Sequence, residues 1–200
     1  MINLAAAVGR DVPRETIEKL ERYAALIREE NERQNLVSRS TLDALWDRHI
    51  VDSAQLFRFG SGAWLDIGSG AGLPGLVIAC LVPGPVTLVE PRRLRAEFLQ
   101  RAAAELNLVV AVHLAKAEAM RGRFDSITAR AVASADKLLR LSGHLAHSGT
   151  IWILPKGKSA QSELAEVQRN WQCEARVEPS ITDPESAILL LSKVKARKQR

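Results

Sequence analysis

Three glycines at alternate positions, Gly68, Gly70 and Gly72, follow the run Trp64-Leu65-Asp66-Ile67 and lead into Leu73-Pro74-Gly75. A strand ending in such a run must turn sharply. Glycine is the residue for that turn, because it enters backbone conformations closed to other residues and leaves no Cβ between the chain and a ligand. In open α/β sheets, ligands bind at the carboxyl ends of the strands, where this turn would lie. Glu90, about 20 positions on and ending the next β-rich run, is a carboxylate able to accept hydrogen bonds from both hydroxyls of a ribose. The chemistry implied is the binding of an adenosine-containing cofactor.

Two cofactors fit these residues. Gly70, Gly72 and Gly75 read as G-x-G-x-x-G, the dinucleotide fingerprint, which leaves a nicotinamide-dependent oxidoreductase open. Two details favour S-adenosylmethionine. Pro74 falls in the first turn of the following helix and removes an amide that a pyrophosphate would use. Asp66 adds negative charge where a dinucleotide would bring two phosphates and S-adenosylmethionine brings a cationic ammonium and sulfonium. Asp66, Gly68, Gly70 and Glu90 are therefore candidate cofactor residues.

Further candidates lie along the same rim. Arg130 ends a β-rich run, Ile127-Thr128-Ala129, in small and apolar company, and its planar fork suits a carboxylate or a nucleotide. Lys156 follows the next such run. His49 and Asp52, three residues apart on an expected helix, share a face and could hold a base or phosphate. His113, His144 and His147 lack metal-ligand spacing, so no metal is expected. Trp46, Trp64, Trp152 and Trp171 fall in apolar stripes and read as core. Cys80 and Cys173 show neither metal spacing nor a disulfide framework, and read as reduced thiols of a cytoplasmic protein.

The elements that must position these residues emerge from the hydrophobic period. Helical spacing runs over Pro13–Glu32 and Thr41–Phe57, the second with Ser40 or Thr41 as its cap. Near Gly60 the rhythm changes. Candidate strands Ala63–Ile67, Val86–Glu90, Val109–Leu114, Asp125–Ala129 and Thr150–Leu154 alternate with candidate helices Leu73–Leu81, Arg92–Leu106, Ser134–Ala146 and Ser159–Trp171. That alternation is the mark of an α/β fold with a mostly parallel sheet. Cys173–Val177 and Ala187–Val194 follow without a helix between them, so they should pair antiparallel at the sheet edge. The organisation expected is a helical extension over 1–60, a cofactor-binding domain over 61–192 and a basic tail over 193–200.

Composition bounds the rest. Hydrophobic residues make up 46% and charged residues 26% of the 200, ordinary for a globular chain. No stretch approaches a membrane span. Basic residues exceed acidic ones by 28 − 23 = +5, and Lys193 to Arg200 alone carries five, so the tail is the candidate for electrostatic contact with nucleic acid.

The chain resembles the RsmG family, also called glucose-inhibited division protein B. Asn35-Leu36, Arg48-His49-Ile50-Val51-Asp52-Ser53, the turn Asp66 to Gly75, Arg130-Ala131-Val132-Ala133-Ser134 and Lys156-Gly157 carry the resemblance. It implies a Rossmann-like class I methyltransferase with an N-terminal helical extension, which uses S-adenosylmethionine to methylate N7 of one guanine in 16S ribosomal RNA. By matching positions, Gly68, Leu73, Ala117, Glu118 and Arg130 would contact the cofactor. Ala71 stands where many relatives carry proline. Glu185-Ser186-Ala187 replaces an Arg-His pair, which puts a role for that edge in RNA binding in doubt.

Guanine N7 is already nucleophilic, so the demand is for alignment and not for a base. Arg130 and Lys156 are accordingly expected as catalytic positioners, with His49 and Asp52 on the substrate side. The expected partner is 16S ribosomal RNA or the small subunit, met by a cytoplasmic monomer with no membrane contact. A non-catalytic RNA-binding module is the remaining alternative.

Overall fold

A computed structural model describes residues 3–197. The chain opens with helices α1 (Leu4–Val8), α2 (Arg14–Asn31) and α3 (Arg39–Leu42), a π-helical stretch Trp46–Val51, the short α4 (Asp52–Ala54) and a 3-10 turn Gln55–Phe59. Strands β1 (Trp64–Ile67), β2 (Val86–Val89), β3 (Val110–His113), β4 (Phe124–Thr128) and β5 (Ala146–Lys156) alternate with α5 (Gly75–Leu81), α6 (Arg93–Glu105) and α7 (Ala135–Ser142). Then come α8 (Ala160–Asn170), β6 (Trp171–Pro179) and β7 (Ala187–Ala196).

The seven strands form one sheet in the order β3-β2-β1-β4-β5-β7-β6. The first five are parallel, and β7 runs antiparallel between β5 and β6. The antiparallel strand thus sits one place in from the edge. Strand order reverses at β1, so β1 and β4 leave the sheet toward opposite sides and a crevice opens between their carboxyl ends. Every candidate residue on a strand end lies along that rim.

Side chains alternate across the strands, and the alternation builds two cores. Trp64, Val86, Leu88, Ile153, Ile188 and Leu190 face one side, against α1, α2, α5 and α6. Leu65, Ile67, Ile127, Trp152, Leu154, Leu189 and Leu191 face the other, against α7 and α8. Leu20, Tyr23 and Ile27 of α2, all fully buried, belong to the first core, so residues 3–60 share a core with the sheet. Trp64 and Trp152 are buried to 1% exposure, and Trp46 and Trp171 pack against the cores partly buried.

Three expectations are corrected. The helix expected over Thr41–Phe57 is segmented. Its first piece begins after Ser38, and neither Ser40 nor Thr41 caps it. The widened π turn at Trp46–Val51 carries His49, and an extra residue within a turn leaves no trace in a 3.6-residue hydrophobic period. The helix expected to reach Ala146 ends at Ser142, and β5 starts at Ala146. Lys193 to Ala196 are not a free tail but the end of β7, with Lys193 paired to Glu174 at 2.8 Å. Arg197 donates to the carbonyls of Gln168 and Trp171, while residues 198–200 lie outside those described.

One contact fixes how α5 meets the sheet. A Cβ at Gly75 would lie 2.2 Å from Leu88 Cδ2 and 2.6 Å from Asp66 Oδ2. Only glycine lets the helix start that close to β1 and β2. Gly75→Ala should therefore destabilise the protein by about 1–3 kcal/mol, the usual cost of overpacking a tight core. Urea denaturation followed by circular dichroism measures it; wild-type stability would contradict the packing described.

Candidate cofactor and acceptor site

The glycine turn is wired to the end of the neighbouring strand β2. Gly68 and Ser69 donate their amides to the Val89 carbonyl at 2.8 and 3.1 Å, which clamps the turn to the end of β2. Gly68, Gly70 and Gly72 all have positive φ, as the spacing demanded. Tyr23, fully buried on α2, donates its hydroxyl to the Ala71 carbonyl at 2.5 Å and supports the turn from within the first core.

The two carboxylates of the turn take different places. Glu90 accepts the Gly70 amide at 2.8 Å on one oxygen and the Arg92 amide at 2.8 Å on the other. Asp66, expected to face the cofactor's positive charge, lies beneath the turn at 1% exposure and accepts the Gly75 amide at 3.0 Å. Burial pushes its pKa up to about 7, with the Gly75 N–H pulling the other way. Its second oxygen, Trp64 Nε1 and Thr128 Oγ1 are buried without hydrogen-bond partners among the described residues. Asp66 and Thr128 are register partners of β1 and β4, and all three side chains face α5. This surrounding thus favours the protonated carboxyl more than water does.

Leu73 is buried at 4% exposure within the first core, and Ala117 is likewise buried in a 3-10 turn just beyond β3. Glu118, beside it, is exposed on the same rim. Pro74 caps α5 instead of lying in its first turn.

Arg130, just beyond β4, meets His49 and Asp52 of the helical extension in space. Arg130 Nη1 lies 3.1 Å from His49 Nδ1 and 3.6 Å from Asp52 Oδ2. A guanidinium has only donors, so Nδ1 must carry a lone pair and the proton sits on Nε2, which donates to Thr41 Oγ1 at 2.9 Å. Burial and the charges of Arg130 and Arg48 hold the His49 pKa down to about 4. The imidazole is therefore neutral, and its tautomer is set by the arginine.

Lys156 takes a different part from the one expected. Its ammonium, with a side chain only 9% exposed, donates to the Ala133 carbonyl at 2.9 Å and pairs with Glu163 at 2.8 Å. Glu163 also accepts the Ala135 amide at 2.7 Å. Lys156 and Glu163 thus staple the segment 130–135 to α8. That segment turns through Ala131, at φ +55, and sets Val132 over the glycine turn, so that a Cβ on Gly68 would lie 2.6 Å from Val132 Cγ2. On its other side is a cleft of about 490 Å³ lined by Arg130, Lys156, Asp52, Gln55, Ser180 and Ser186, among others. Tyr23, Gln55, Glu163 and Thr182 join this architecture without having been singled out by sequence. Each is an ordinary polar residue whose partner lies far along the chain, and no local pattern marks such a pair.

Comparison with known proteins bears on this geometry. The family described as GidB, rRNA small subunit methyltransferase G, matches residues 16–188. The Ribosomal RNA small subunit methyltransferase G of Zymomonas mobilis is 44% identical over 201 residues, covering 94% of this chain and 91% of its own. The protein of that name from Novosphingobium aromaticivorans is 49% identical over 183 residues, covering 88% and 80%. Among solved structures, a SAM dependent methyltransferase from Aquifex aeolicus shares the fold with a TM-score of 0.59 at 14% identity, over 74% of this chain and 91% of that one.

The buried Asp66 generates a pH prediction. A carboxyl whose native pKa is raised from 3.8 to about 7 binds a proton more tightly folded than unfolded, so its ionisation costs stability as pH rises through that window. His49, lowered from 6.5 to about 4, contributes the opposite slope, stabilising as pH rises to 6.5. Comparison of variant with wild type separates the two. Asp66→Asn should gain stability relative to wild type as pH rises from about 4 to about 7, by a few kcal/mol at most. A difference in urea-unfolding free energy that is constant with pH would contradict it.

Proposed function

The chain belongs to the rRNA small subunit methyltransferase G family, and on that premise we propose that it transfers the methyl group of S-adenosylmethionine to N7 of a guanine in 16S ribosomal RNA, in the cytoplasm. The observation that carries the cofactor assignment is the glycine turn at the end of β1 joined to Glu90 at the end of β2.

The residues present fit that cofactor. A Cβ at Gly70 would meet nothing nearer than the Gly68 carbonyl at 3.7 Å, so the face of the turn is open. Each Glu90 oxygen holds one backbone amide and keeps a further lone pair for a ribose hydroxyl. A dinucleotide fits less well, because the Gly75 amide at the start of α5 is already taken by Asp66 and is not free for a pyrophosphate.

When bound, S-adenosylmethionine supplies an electrophilic methyl group on a sulfonium. The chain's task is then alignment. Guanine N7 presents a lone pair and no proton, so neutral His49 is not required as a base. Arg130 stands between the glycine turn and the cleft, with its charge balanced by Asp52 and its direction set by His49, where it can hold a carboxylate, O6 or a phosphate. Lys156 acts one step removed, as a positioning residue for the 130–135 segment.

Adenosylhomocysteine should raise the melting temperature of the protein, by linkage of binding to folding. Gly68→Leu should abolish that response, because the new side chain would enter the space between the turn and Val132. The decisive assay is transfer of labelled methyl to small-subunit RNA from cells lacking this protein, with mapping of the modified base. Label on a ribose, an exocyclic oxygen or a protein would overturn the reading. Arg130→Ala should lower transfer by about 10- to 100-fold, the worth of one charge-assisted contact of ~1.5–3 kcal/mol. At saturating cofactor, turnover should be flat between about pH 7 and 8.5; a sigmoidal rise there would point to a base and against N7.

A further inference from the structure

The link between β6 and β7, residues 180–186, reaches across the rim to the helical extension. Ser180 and Ser186 bond each other's backbone, N–H to carbonyl at 3.0 Å, and the Ser186 amide donates to Asp183 at 3.0 Å, so the link closes on itself. Gln55, at 2% exposure, docks it. Its Oε1 accepts the Ile181 amide at 3.0 Å and its Nε2 lies 2.9 Å from Asp52 Oδ1 and 3.0 Å from Ser180 Oγ.

Thr182 completes the connection. Its hydroxyl donates to Asp52 Oδ1 at 2.6 Å. A carboxylate gives no proton, so the direction of the chain is settled from this end. Ser180 Oγ then donates to Thr182 Oγ1 at 2.9 Å and accepts the Thr182 amide at 3.2 Å. The Thr182 hydroxyl and Gln55 Nε2 converge on one oxygen of Asp52, and the other oxygen faces Arg130 Nη1 at 3.6 Å. The carboxylate is thereby held from two sides, and one of its rotamers is selected.

We propose that Thr182 is a positioning residue for methyl transfer: through Asp52 it fixes the guanidinium of Arg130 at the mouth of the cleft, which makes the β6–β7 link part of the catalytic apparatus. The inference rests on the methyltransferase reading. It answers the doubt raised by the missing Arg-His pair near Glu185, since the link serves here through hydroxyls and one amide side chain. Ser180 and Ser186 line the cleft as well, so an acceptor nucleotide seated there would touch the same segment that orients the arginine.

The test uses Thr182→Val, which keeps the shape and removes the donor, and Thr182→Ser, which restores it. Labelled-methyl assays on small-subunit RNA should show Thr182→Val losing about tenfold in kcat, the scale of one hydrogen bond to a charged group, with Thr182→Ser near wild type and both melting temperatures unchanged. In an Arg130→Ala background the further loss from Thr182→Val should shrink to less than twofold, because the residue through which it acts is gone. Independent of any activity, the His49 ring nitrogens, followed by NMR, should titrate at higher pH in Thr182→Val than in wild type, as Arg130 leaves Nδ1. Unchanged kcat in Thr182→Val, multiplicative losses in the double variant, or an unmoved His49 titration would each overturn the proposal. Failure of the wild type to methylate RNA would instead overturn the methyltransferase reading, and the His49 titration would still decide whether Thr182 orients Arg130.

Discussion

The hydrogen bond from the Gly75 amide to Asp66, buried between β1 and α5, sets the geometry on which the rest of this site depends. It ties the last turn of a strand to the first residue of the helix that follows, across a loop containing three positive-φ glycines. Without such a tie, a glycine-rich loop would sample many conformations, since glycine has the most backbone freedom to lose. Leu88 reinforces it by packing into the space that a Cβ at Gly75 would fill. Tyr23 adds a third restraint from the helical extension. The turn is therefore preorganised from beneath, and its upper face is left to a ligand.

A second constraint concerns charge. Arg130 is only about a fifth exposed, and a partly buried guanidinium needs acceptors within reach. His49 and Asp52 both provide them, at Nη1, from the helical extension, which explains why residues 3–60 cannot be a detachable cap. The same side chains that anchor the extension to the sheet orient Arg130 on the wall of the cleft. Stability and positioning are served by one set of contacts. The widened turn at Trp46–Val51 belongs to this arrangement, because it places His49 and Asp52 where both reach Arg130.

The parts legible in sequence share a physical origin. Strands β1 to β5 and helices α5 to α8 announce themselves through period, because each buries one face or stripe continuously and the apolar residues must repeat. The glycine turn is legible because positive φ restricts residue choice so strongly. His49, Asp52 and Arg130 could be nominated from residue type, but their meeting could not, since it joins positions 81 residues apart in the Arg130–His49 contact. Lys156 shows the reverse. A basic residue on the rim looks available until Glu163 and the Ala133 carbonyl occupy it. The end of β7 hides its pairing for a related reason: its charges point to solvent and nucleic acid, while the alternating Lys193, Val194, Lys195, Ala196 also fit the end of a strand with one face in water.

The segment 130–135 is where the two halves of the site communicate. Its start, Arg130, is governed by the extension, and its end is governed by Lys156 and Glu163 from β5 and α8. Between them, Ala131 adopts a left-handed conformation, strained for a residue with a Cβ, and that strain is tolerated because both ends are fixed. Val132, 44% exposed although apolar, is held over Gly68 by this restraint and by no deep pocket of its own. One short segment thus places Val132 against Gly68 of the turn and Arg130 on the wall of the cleft.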